Sequence, residues 1–588
     1  MAEMLSPGVY VNELDYSQYA AEVSSCIVGM VGEARRGPVG VPTLITSQKE
    51  MISVFGEPKS GCYGVYSALA FLTEGDQLYY TRVVRGGEKA HAGVVGTNKI
   101  SVEANVIGDA LNGYVVEISD PADDLFTITV YESKDKTTPL ETYSNCSLDA
   151  GENYVLTKIN GVSPYISVKI NPSGTVKATL ELAGGSGISA KSATAGSDTD
   201  LITFSTLYPD STLNGGKIVI SDMYQGEYFD VTVKDIAGNV VETWASLTLD
   251  ETSDRFVELF INKNSKRIIA DVKTGSNIDF KAGDLIIGGG DDGIEGISSF
   301  DIIGADTGKG IDSFSNPETV DINVFTVPGY YDSAVVSAAT EMCEKRADCI
   351  YIIDPPFGIS PATAIAWSNG NSSYGTYVMN SSYSAVYWPW VKISDSYTKK
   401  DIWLPPSGFV AAQYAYNDKV GAPWLAPAGL NRGKMTKPIA IEHSPTQGER
   451  DAMYGNRNVV NAIVNYLGDG IVIWGQKTTQ RAPTALDRVN VRRLLNYLKK
   501  TISLSTRYFV FEQNNQATWD RWTNMVEPIL RQVKERSGLN DYLIEINPTV
   551  WEIENNIMPA TIKVKPTKSA EFIPIDFMIM PQSASFDV

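Results

Sequence analysis

DGIVIWG at residues 469–475 lies inside a C-terminal block, residues 431–588, that has the pattern of a compact folding unit with an open tail. A helix-like segment, VNVRRLL, follows at residues 489–495, and the block ends in an alternating segment, EFIPIDF, at residues 571–577. Nothing in these stretches has the pattern of a catalytic centre. The rest of the chain is interpreted as sequence inserted on the N-terminal side of this block.

Two amphipathic helices are predicted in the block. Residues 484–502 carry apolar residues at helical spacing, and Lys499 and Lys500 near the predicted end suit the negative pole of the helix dipole. Residues 519–536 present a broad apolar face, and Gly538 is expected to cap this second helix.

Strands are predicted around these helices at residues 508–511, 543–546 and 560–564. The last alternating segment, residues 572–580, contains Pro574. Because proline cannot donate a ladder hydrogen bond, this segment is predicted to be an edge strand or an added strand.

Outside the block, a strand–helix–strand pattern occurs twice, which is typical of an α/β domain. The six segments are residues 26–31, 63–72, 78–84, 322–327, 332–346 and 349–353. A further short helix is predicted after Ser47, with Glu50 three residues later as in a capping box. We therefore predict one discontinuous α/β domain over residues 21–100 and 285–430.

The segment between these two halves contains an internal repeat. LNG at residues 111–113 returns at 213–215, and FTITV at 126–130 returns as FDVTV at 229–233, with an offset that drifts only between 101 and 103 residues. Period-2 alternation dominates both copies. Two related small β domains are predicted, over residues 101–200 and 201–284, with chance similarity between β-rich segments as the alternative.

Residues 367–430 are crowded with tryptophan, tyrosine, proline and glycine. Buried aromatic residues among proline-rich loops are expected to form a rigid, irregular layer. A carbohydrate-binding platform is the functional alternative.

The composition limits the classes of function. A chain of 588 residues predicts three to five domains, and its net charge of −20 argues against a nucleic-acid surface. No run of 18 apolar residues is present, and residues 1–8 do not have the pattern of a secretory signal, so no membrane insertion or secretion is expected. The five cysteines are scattered without a CxxC motif, which favours synthesis in a reducing compartment.

Candidate chemistry is sparse in the sequence. The two histidines are His91 and His443, and neither lies in a nucleophile motif. Asp354 follows a predicted strand, where α/β enzymes place catalytic groups, but a strand-end turn is the stronger interpretation. The glycine-rich residues 288–293 lack EF-hand spacing, and Arg492 with its neighbour Arg493 is interpreted as a salt-bridging helix face. We predict no catalytic residue, no cofactor and no metal site.

Several short motifs together resemble the contractile-tail sheath proteins of bacteriophages and of phage-like injection systems. Near the N-terminus these are SPGVYVNE at 6–13, GEARRGP at 32–38, FG at 55–56 and YTRVV at 80–84. In the C-terminal block they are NRG at 431–433, NAI at 461–463, GDGIVIWGQKT at 468–478, VRRL at 491–494, FVFEQN at 509–514 and AEFI at 570–573. The resemblance covers residues 1–90 and 285–588 and is weaker over residues 100–170.

The resemblance implies a multidomain α/β (α+β) sheath core with extended terminal arms. The two inserted small β domains are predicted from the internal repeat, and resemblance alone would not assign the second of them. The same resemblance implies an N-terminal linking arm at residues 1–20, an inner sheath domain at 431–569 and a C-terminal linking strand at 570–588. Family members join neighbouring subunits by strands donated from both termini. The residues expected to form these links are Val9, Tyr10, Val11, Asn12, Leu14, Phe572, Ile573, Ile575, Phe577 and Ile579.

The resemblance also implies a structural, non-enzymatic function. Stacked rings of subunits would surround an inner tail tube and contract, driving the tube through the target cell envelope for delivery of a genome or effector. Implied partners are further copies of the chain, the tube protein, and baseplate and tail terminator proteins. The implied location is the virion tail, assembled in the host bacterial cytoplasm. A self-assembling surface-layer or adhesive β protein is the alternative, and a tail-associated glycan-processing enzyme is a third class.

Overall fold

A computed structural model of the chain describes residues 26–575 with internal gaps. The gaps are residues 86–88, 93–96, 108–113, 123, 133–138, 152, 161, 164–165, 183–193, 197–199, 209, 274–279, 281, 288–291, 305–307 and 456. The predicted strand at residues 9–14 and the end of the predicted final strand, residues 576–580, lie outside the described residues.

The first α/β segment contains the strands and helices that the sequence predicts, together with one short strand, β2, that it does not. Its elements are β1 (Val28–Glu33), β2 (Thr43–Ile45), α1 (Gln48–Phe55), α2 (Gly64–Phe71) and β3 (Leu78–Val83). The Ser47 hydroxyl caps α1 by accepting from the Glu50 N–H at 3.2 Å, as the motif predicts. The Glu50 carboxylate, however, accepts from the Thr46 N–H at 2.8 Å, one residue before the expected position.

Two β units follow, and among the described residues each contains seven strands and one helix. The first β unit comprises β4 (Lys89–Ala92), β5 (Ile100–Ile107), β6 (Val115–Ile118), β7 (Phe126–Tyr131), β8 (Pro139–Cys146), α3 (Val155–Ile159), β9 (Ile166–Ile170) and β10 (Ala178–Glu181). The second β unit comprises β11 (Thr194–Ala195), β12 (Ile202–Thr206), β13 (Lys217–Ile220), β14 (Tyr228–Lys234), β15 (Val240–Thr248), α4 (Val257–Asn264), β16 (Ile268–Val272) and β17 (Gly283–Ile286).

The two β units have the same strand pairing. The first contains the sheets β10-β6-β7-β8 and β4-β5-β9, and the second contains β17-β13-β14-β15 and β11-β12-β16 in corresponding order. Side-chain contacts are also repeated. Asn160 bonds the backbone of Val168 in both directions, at 3.0 and 2.7 Å, and Asn262 does the same to Ala270, at 3.0 and 2.8 Å. The sequence repeat thus corresponds to a repeated pattern of pairing and packing.

The chain then returns to the first sheet and extends it. The elements are α5 (Ser299–Ile303), β18 (Val324–Thr326), α6 (Ser333–Arg346), β19 (Ile350–Ile353), α7 (Pro361–Ser368), β20 (Ser384–Trp388), β21 (Val391–Ser394), β22 (Asp401–Leu404), α8 (Ser407–Val420), β23 (Ala440–Ile441), α9 (Gln447–Tyr454), β24 (Val460–Tyr466) and β25 (Gly470–Ile473). The strand order of the main sheet is β2-β3-β1-β18-β19-β20-β24-β25. We refer to residues 26–85 and 292–480 as the sheet domain.

The main sheet is parallel in its centre and antiparallel at both edges. Every pairing from β3 to β24 is parallel, whereas β2 and β25 pair antiparallel. Helices α1, α2 and α8 cover one face, and α5, α6, α7 and α9 cover the other, so the inner strands are buried on both sides. Because β24 and β25 belong to this sheet, the sheet continues across the domain boundary that we predicted at residue 430.

The aromatic-rich segment at residues 367–430 contains regular structure that the sequence analysis missed. Helix α8 has eleven buried residues out of fourteen, so it has no polar face and no amphipathic periodicity. At Gly408 this helix approaches α2 so closely that a Cβ atom would lie 2.6 Å from the Ser67 carbonyl oxygen. Trp367 and Trp388 are fully buried, and this burial favours the packing interpretation over a carbohydrate platform.

The C-terminal unit, residues 489–566, packs around its own core. It comprises α10 (Val489–Thr506), α11 (Gln516–Glu535), β26 (Leu539–Glu545), α12 (Val550–Glu554) and β27 (Thr561–Pro566), with β26 and β27 paired antiparallel. Its core includes Leu494, Leu498, Trp522, Val526 and Leu530. The two predicted amphipathic helices and the strands predicted at residues 543–546 and 560–564 are confirmed, although the first helix begins five residues and ends four residues later than predicted.

Two local predictions in this unit are wrong. The segment at residues 508–511 is not a strand but a 3-10 turn followed by Phe511 at φ +72, and the Phe511 side chain is fully exposed. Its run of aromatic and β-branched residues suggested a strand, but α10 continues to residue 506 and leaves only a tight connection to α11. At the end of α11, Ser537 adopts the left-handed conformation, at φ +61, that we expected of Gly538. The Gly538 N–H donates to the Val533 carbonyl at 2.8 Å and so closes the turn.

None of the helices in the described part of the chain combines the length and apolar character that a bilayer crossing requires.

Candidate functional site

Helix α10 fixes the C-terminal unit to the sheet domain through its basic residues. The Arg493 guanidinium donates to both oxygens of Asp418 on α8, at 2.9 and 2.6 Å, and both side chains are at most 4% exposed. Burial works to lower the pKa of Arg493, but the Asp418 carboxylate outweighs burial and raises it, so the guanidinium stays charged. This paired contact bears out the salt-bridging interpretation for Arg493.

Other basic residues of α10 also contact the sheet domain. Arg492 stacks on the Tyr383 ring at 4.0 Å, and Lys499 donates to the Tyr383 hydroxyl at 3.1 Å. Lys500 donates to the Asn323 side chain at 2.9 Å and pairs with Asp321. The two lysines therefore hold the helix against a neighbouring domain and do not serve the helix dipole, because α10 ends a further turn and a half beyond them.

The C-terminal tail is anchored at Glu571. Arg488, immediately before α10, donates to the two Glu571 oxygens at 2.8 and 2.9 Å, and the Gln476 amide donates to the same carboxylate at 3.0 Å. The Tyr454 ring lies 5.6 Å from the Arg488 guanidinium. A planar, two-point contact of this kind fixes position as well as charge, so the tail leaves the subunit from a defined point.

Beyond this anchor, the predicted linking residues are exposed. Phe572, Ile573 and Ile575 are 79%, 74% and 70% exposed, and residues 571–575 pair with no strand in the described part of the chain. The other predicted linking residues lie outside the described residues: Val9, Tyr10, Val11, Asn12, Leu14, Phe577 and Ile579. Three large apolar side chains in an extended run are typical of a segment that is covered by a partner.

The sheet β26–β27 is open at both edges in the described part of the chain. In the described chain it has two strands, and no third strand pairs with either edge. A groove of about 640 Å³ lies between β27 and the helices, lined by Leu495, Leu498, Ile502, Val510, Leu530, Ile562 and Val564 among others. A strand added beside β27 would place alternate side chains over this apolar surface. Two strands are too few for a stable free-standing sheet, so packing on the helices stabilises it.

The acidic residue singled out at a strand end has a structural role. Asp354 follows β19, and its carboxylate accepts from the Ser407 N–H at 2.8 Å, the Ser407 hydroxyl at 2.6 Å and the Gly329 N–H at 3.1 Å. Burial raises the pKa of Asp354 to about 7, and these three donors oppose the rise. Asp354 therefore holds the first turn of α8 in place.

The other candidates for chemistry also make structural contacts. His443 lies 3.3 Å from the Glu449 carboxylate, which caps α9, while the side chain of His91 lies outside the described residues. In the glycine-rich residues 288–293, the Asp292 carboxylate accepts hydrogen bonds from Lys59 at 3.3 Å and from the Ser211 hydroxyl at 3.1 Å. Within the described ranges, no three histidine, cysteine or acidic side chains are grouped as metal ligands would be.

Sequence reasoning missed the tail anchor and the partner of Arg493. Arg488 and Glu571 lie 83 residues apart, and Asp418 and Arg493 lie 75 apart, so no local pattern links either pair. The sequence shows a basic residue, Arg488, directly before α10 and an acidic residue, Glu571, directly before the apolar tail. Neither residue indicates by itself which residue it pairs with.

Comparisons with known proteins find similarity to phage tail sheath proteins. The family model described as the phage tail sheath protein central domain matches residues 303–479, and the phage tail sheath C-terminal domain matches residues 481–579. Tail sheath proteins of Vibrio phage KVP40 and Enterobacteria phage T4 are each 24% identical to the chain, with 99% of both sequences covered.

A crystal structure of a sheath tail protein from Desulfitobacterium hafniense has a similar fold. Its TM-score is 0.50 at 11% identity, and the match covers 96% of this chain and 97% of that one. The sequence relatives extend over 99% of the chain, and the two family models cover the second segment of the sheet domain from residue 303 onward and the C-terminal unit. The chain belongs to the contractile-tail sheath family.

Proposed function

We propose that the chain is the repeating subunit of a contractile sheath, which polymerises around an inner tube and drives that tube through a target envelope when it contracts. The observation that carries this proposal is the incomplete β26–β27 sheet, with its apolar groove, on a subunit whose tail leaves from a fixed anchor with exposed apolar side chains. A subunit with both an unfilled strand position and an unpaired apolar segment is suited to linking with its neighbours.

The link is an exchange of terminal strands. A segment from one subunit, either the N-terminal Val9–Leu14 region or the C-terminal segment after Glu571, adds beside β27 of another subunit. Main-chain hydrogen bonds contribute about 1 kcal/mol each to such a contact, and apolar side chains entering the groove contribute about 25 cal/mol per Å² buried. Because the added strand also covers an open edge, the link prevents unspecific edge pairing.

The Arg488–Glu571 contact holds the start of the C-terminal arm at one position on its own subunit during contraction. The arm bends after residue 571 while the anchor and the paired strand hold both of its ends, so subunits can rotate and slide without separating. The free energy of contraction comes from contacts between subunits that the extended sheath has not yet made. The further partners in this function are the tube protein, the baseplate and the tail terminator, and the site of action is the virion tail after assembly in the host cytoplasm.

The two β units are proposed to project from the sheath as inserted domains. The chain leaves and rejoins the sheet domain at one place, where the Arg85 N–H donates to the Gly293 carbonyl at 2.7 Å. A segment that enters and leaves at adjacent points can be removed without rearranging the sheet. The α10 face and the β27 groove are built from residues outside both units.

Replacing residues 86–291 with a short Gly-Ser linker is therefore expected to leave polymerisation intact. Negative-stain microscopy should show striated hollow tubes for the full chain and thinner tubes with the same axial repeat for the variant. A flat lattice from the full chain would favour the surface-layer alternative. A folded variant that stays monomeric would contradict the peripheral position of the β units.

A further inference from the structure

Two cysteines of the sheet domain face each other inside the core. The Cys343 and Cys349 sulfurs are 3.3 Å apart, and both residues are fully buried. Cys343 lies in the last turn of α6, and Cys349 immediately precedes the central strand β19. The pair therefore spans the contact between a covering helix and the middle of the main sheet.

The segment between the two cysteines is firmly held. Arg346 pairs with both oxygens of Asp348 at 2.9 Å and donates to the carbonyls of Phe314 and Val320 at 2.6 and 2.9 Å. Ala347 ends the helix in the left-handed conformation, at φ +58. These contacts keep the sulfurs opposed, and a bond length of about 2.05 Å requires only a small approach from their present separation.

We propose that Cys343 and Cys349 form a disulfide when the protein meets a peroxide outside the reducing compartment of its synthesis. One thiol loses its proton, and the thiolate attacks the O–O bond, giving a sulfenic acid and water. The second thiolate attacks the sulfenic sulfur, forming the S–S bond and releasing a second water. Two thiols are oxidised by two electrons, and one peroxide is reduced to two waters.

The bond would fasten α6 to β19 in mature particles. Burial raises the pKa of the Cys343 thiol, which keeps the thiolate scarce. Reaction therefore depends on brief opening of the helix end, and the pair stays reduced during assembly. The other three cysteines are buried apart from this pair: Cys26 lies on the opposite face of the main sheet, Cys146 lies in the first β unit, and Cys62 lies near Glu33 and Lys59.

The test uses the full chain treated with hydrogen peroxide, denatured, blocked with N-ethylmaleimide and digested with trypsin. Cleavage after Lys345 and Arg346 separates the two cysteines, so a linked peptide pair appears only if the disulfide has formed. We expect that pair in the treated sample, its loss after dithiothreitol, and blocked thiols at Cys26, Cys62 and Cys146. Oxidation is also expected to raise the thermal midpoint by roughly 2–6 °C.

Cys349→Ala, an exchange of one small buried residue for another, is the control. It should fold, give no linked peptide and show no rise in midpoint on oxidation. Blocked thiols at both positions after prolonged treatment, or sulfinic acid at Cys343 without linkage, would overturn the proposal. Linkage of Cys343 to any other cysteine would also overturn it.

Discussion

Removing residues 572–588 is expected to yield a folded, soluble monomer that forms no tubes. The truncation keeps Glu571 and its contact with Arg488, so the anchor stays intact. Residues 572–575 pair with no strand within the described chain, so their loss should change the thermal midpoint by less than about 2 °C. Removing residues 1–14 is expected to have the same consequence for assembly. Sedimentation and negative-stain microscopy, with circular dichroism as the test of folding, measure the result.

Two double variants test whether tube formation requires the apolar residues of the C-terminal arm or exposed apolar residues in general. Ile573→Asp with Ile575→Asp changes two side chains that are 74% and 70% exposed, and should abolish tubes. Ile236→Asp with Val240→Asp changes side chains of similar exposure, 74% and 60%, in the second β unit, and should not affect tubes. Normal tubes from both truncations would disprove the assignment of the arms.

Arg493→Ala is expected to lower the free energy of unfolding by about 3–5 kcal/mol, because it leaves the Asp418 carboxylate buried without its partner. It should also loosen the C-terminal unit, because this pair ties α10 to α8. Urea unfolding followed by tryptophan fluorescence and the thermal midpoint measure the effect, with Trp424 close to the affected contact.

Arg531→Ala provides the comparison for this effect. Arg531 pairs with Glu527 one helical turn away on α11, at 2.8 Å, but both side chains are more than 40% exposed. A loss below about 1 kcal/mol is expected there. Arg493→Met combined with Asp418→Leu should recover much of the stability, since it removes both charges together. Equal losses at Arg493 and Arg531 would contradict the role assigned to the α10–α8 pair.

The sequence pattern predicts the helices and strands that have one buried face and one solvent-exposed face. Helices α10 and α11 each have one apolar face and one solvated face, and their periodicity identifies them. The β units alternate strictly, as in β7 and β14, because one face of each strand is buried. Helix α8 has no such contrast, because it packs against α2, the main sheet and α10 at once, so nearly all of its residues are buried and no polar face remains.

The sequence predicts only part of the candidate site, because the rest is formed by residues that are distant from one another in the sequence. The alternation after Glu571 indicated an added strand, and the unpartnered segment near Val9 suggested a second. The groove that could receive them combines α10, α11 and β27, so it exists only once the C-terminal unit has folded. Long-range pairs such as Arg488 with Glu571 depend on tertiary structure in the same way.

Cross-linking between subunits tests the central claim, that neighbours are joined by terminal strands beside β27. Subunits carrying Val564→Cys, a β27 position whose side chain lines the groove, are co-assembled with subunits carrying either Ile573→Cys or Val11→Cys and then mildly oxidised. Directly opposed residues of paired strands have Cβ atoms about 4.5–5.5 Å apart, within reach of a disulfide. The account predicts a product of twice the subunit mass in at least one mixture, absent when either partner lacks its new cysteine. Tubes that form normally and yield no such product in either mixture would contradict the account.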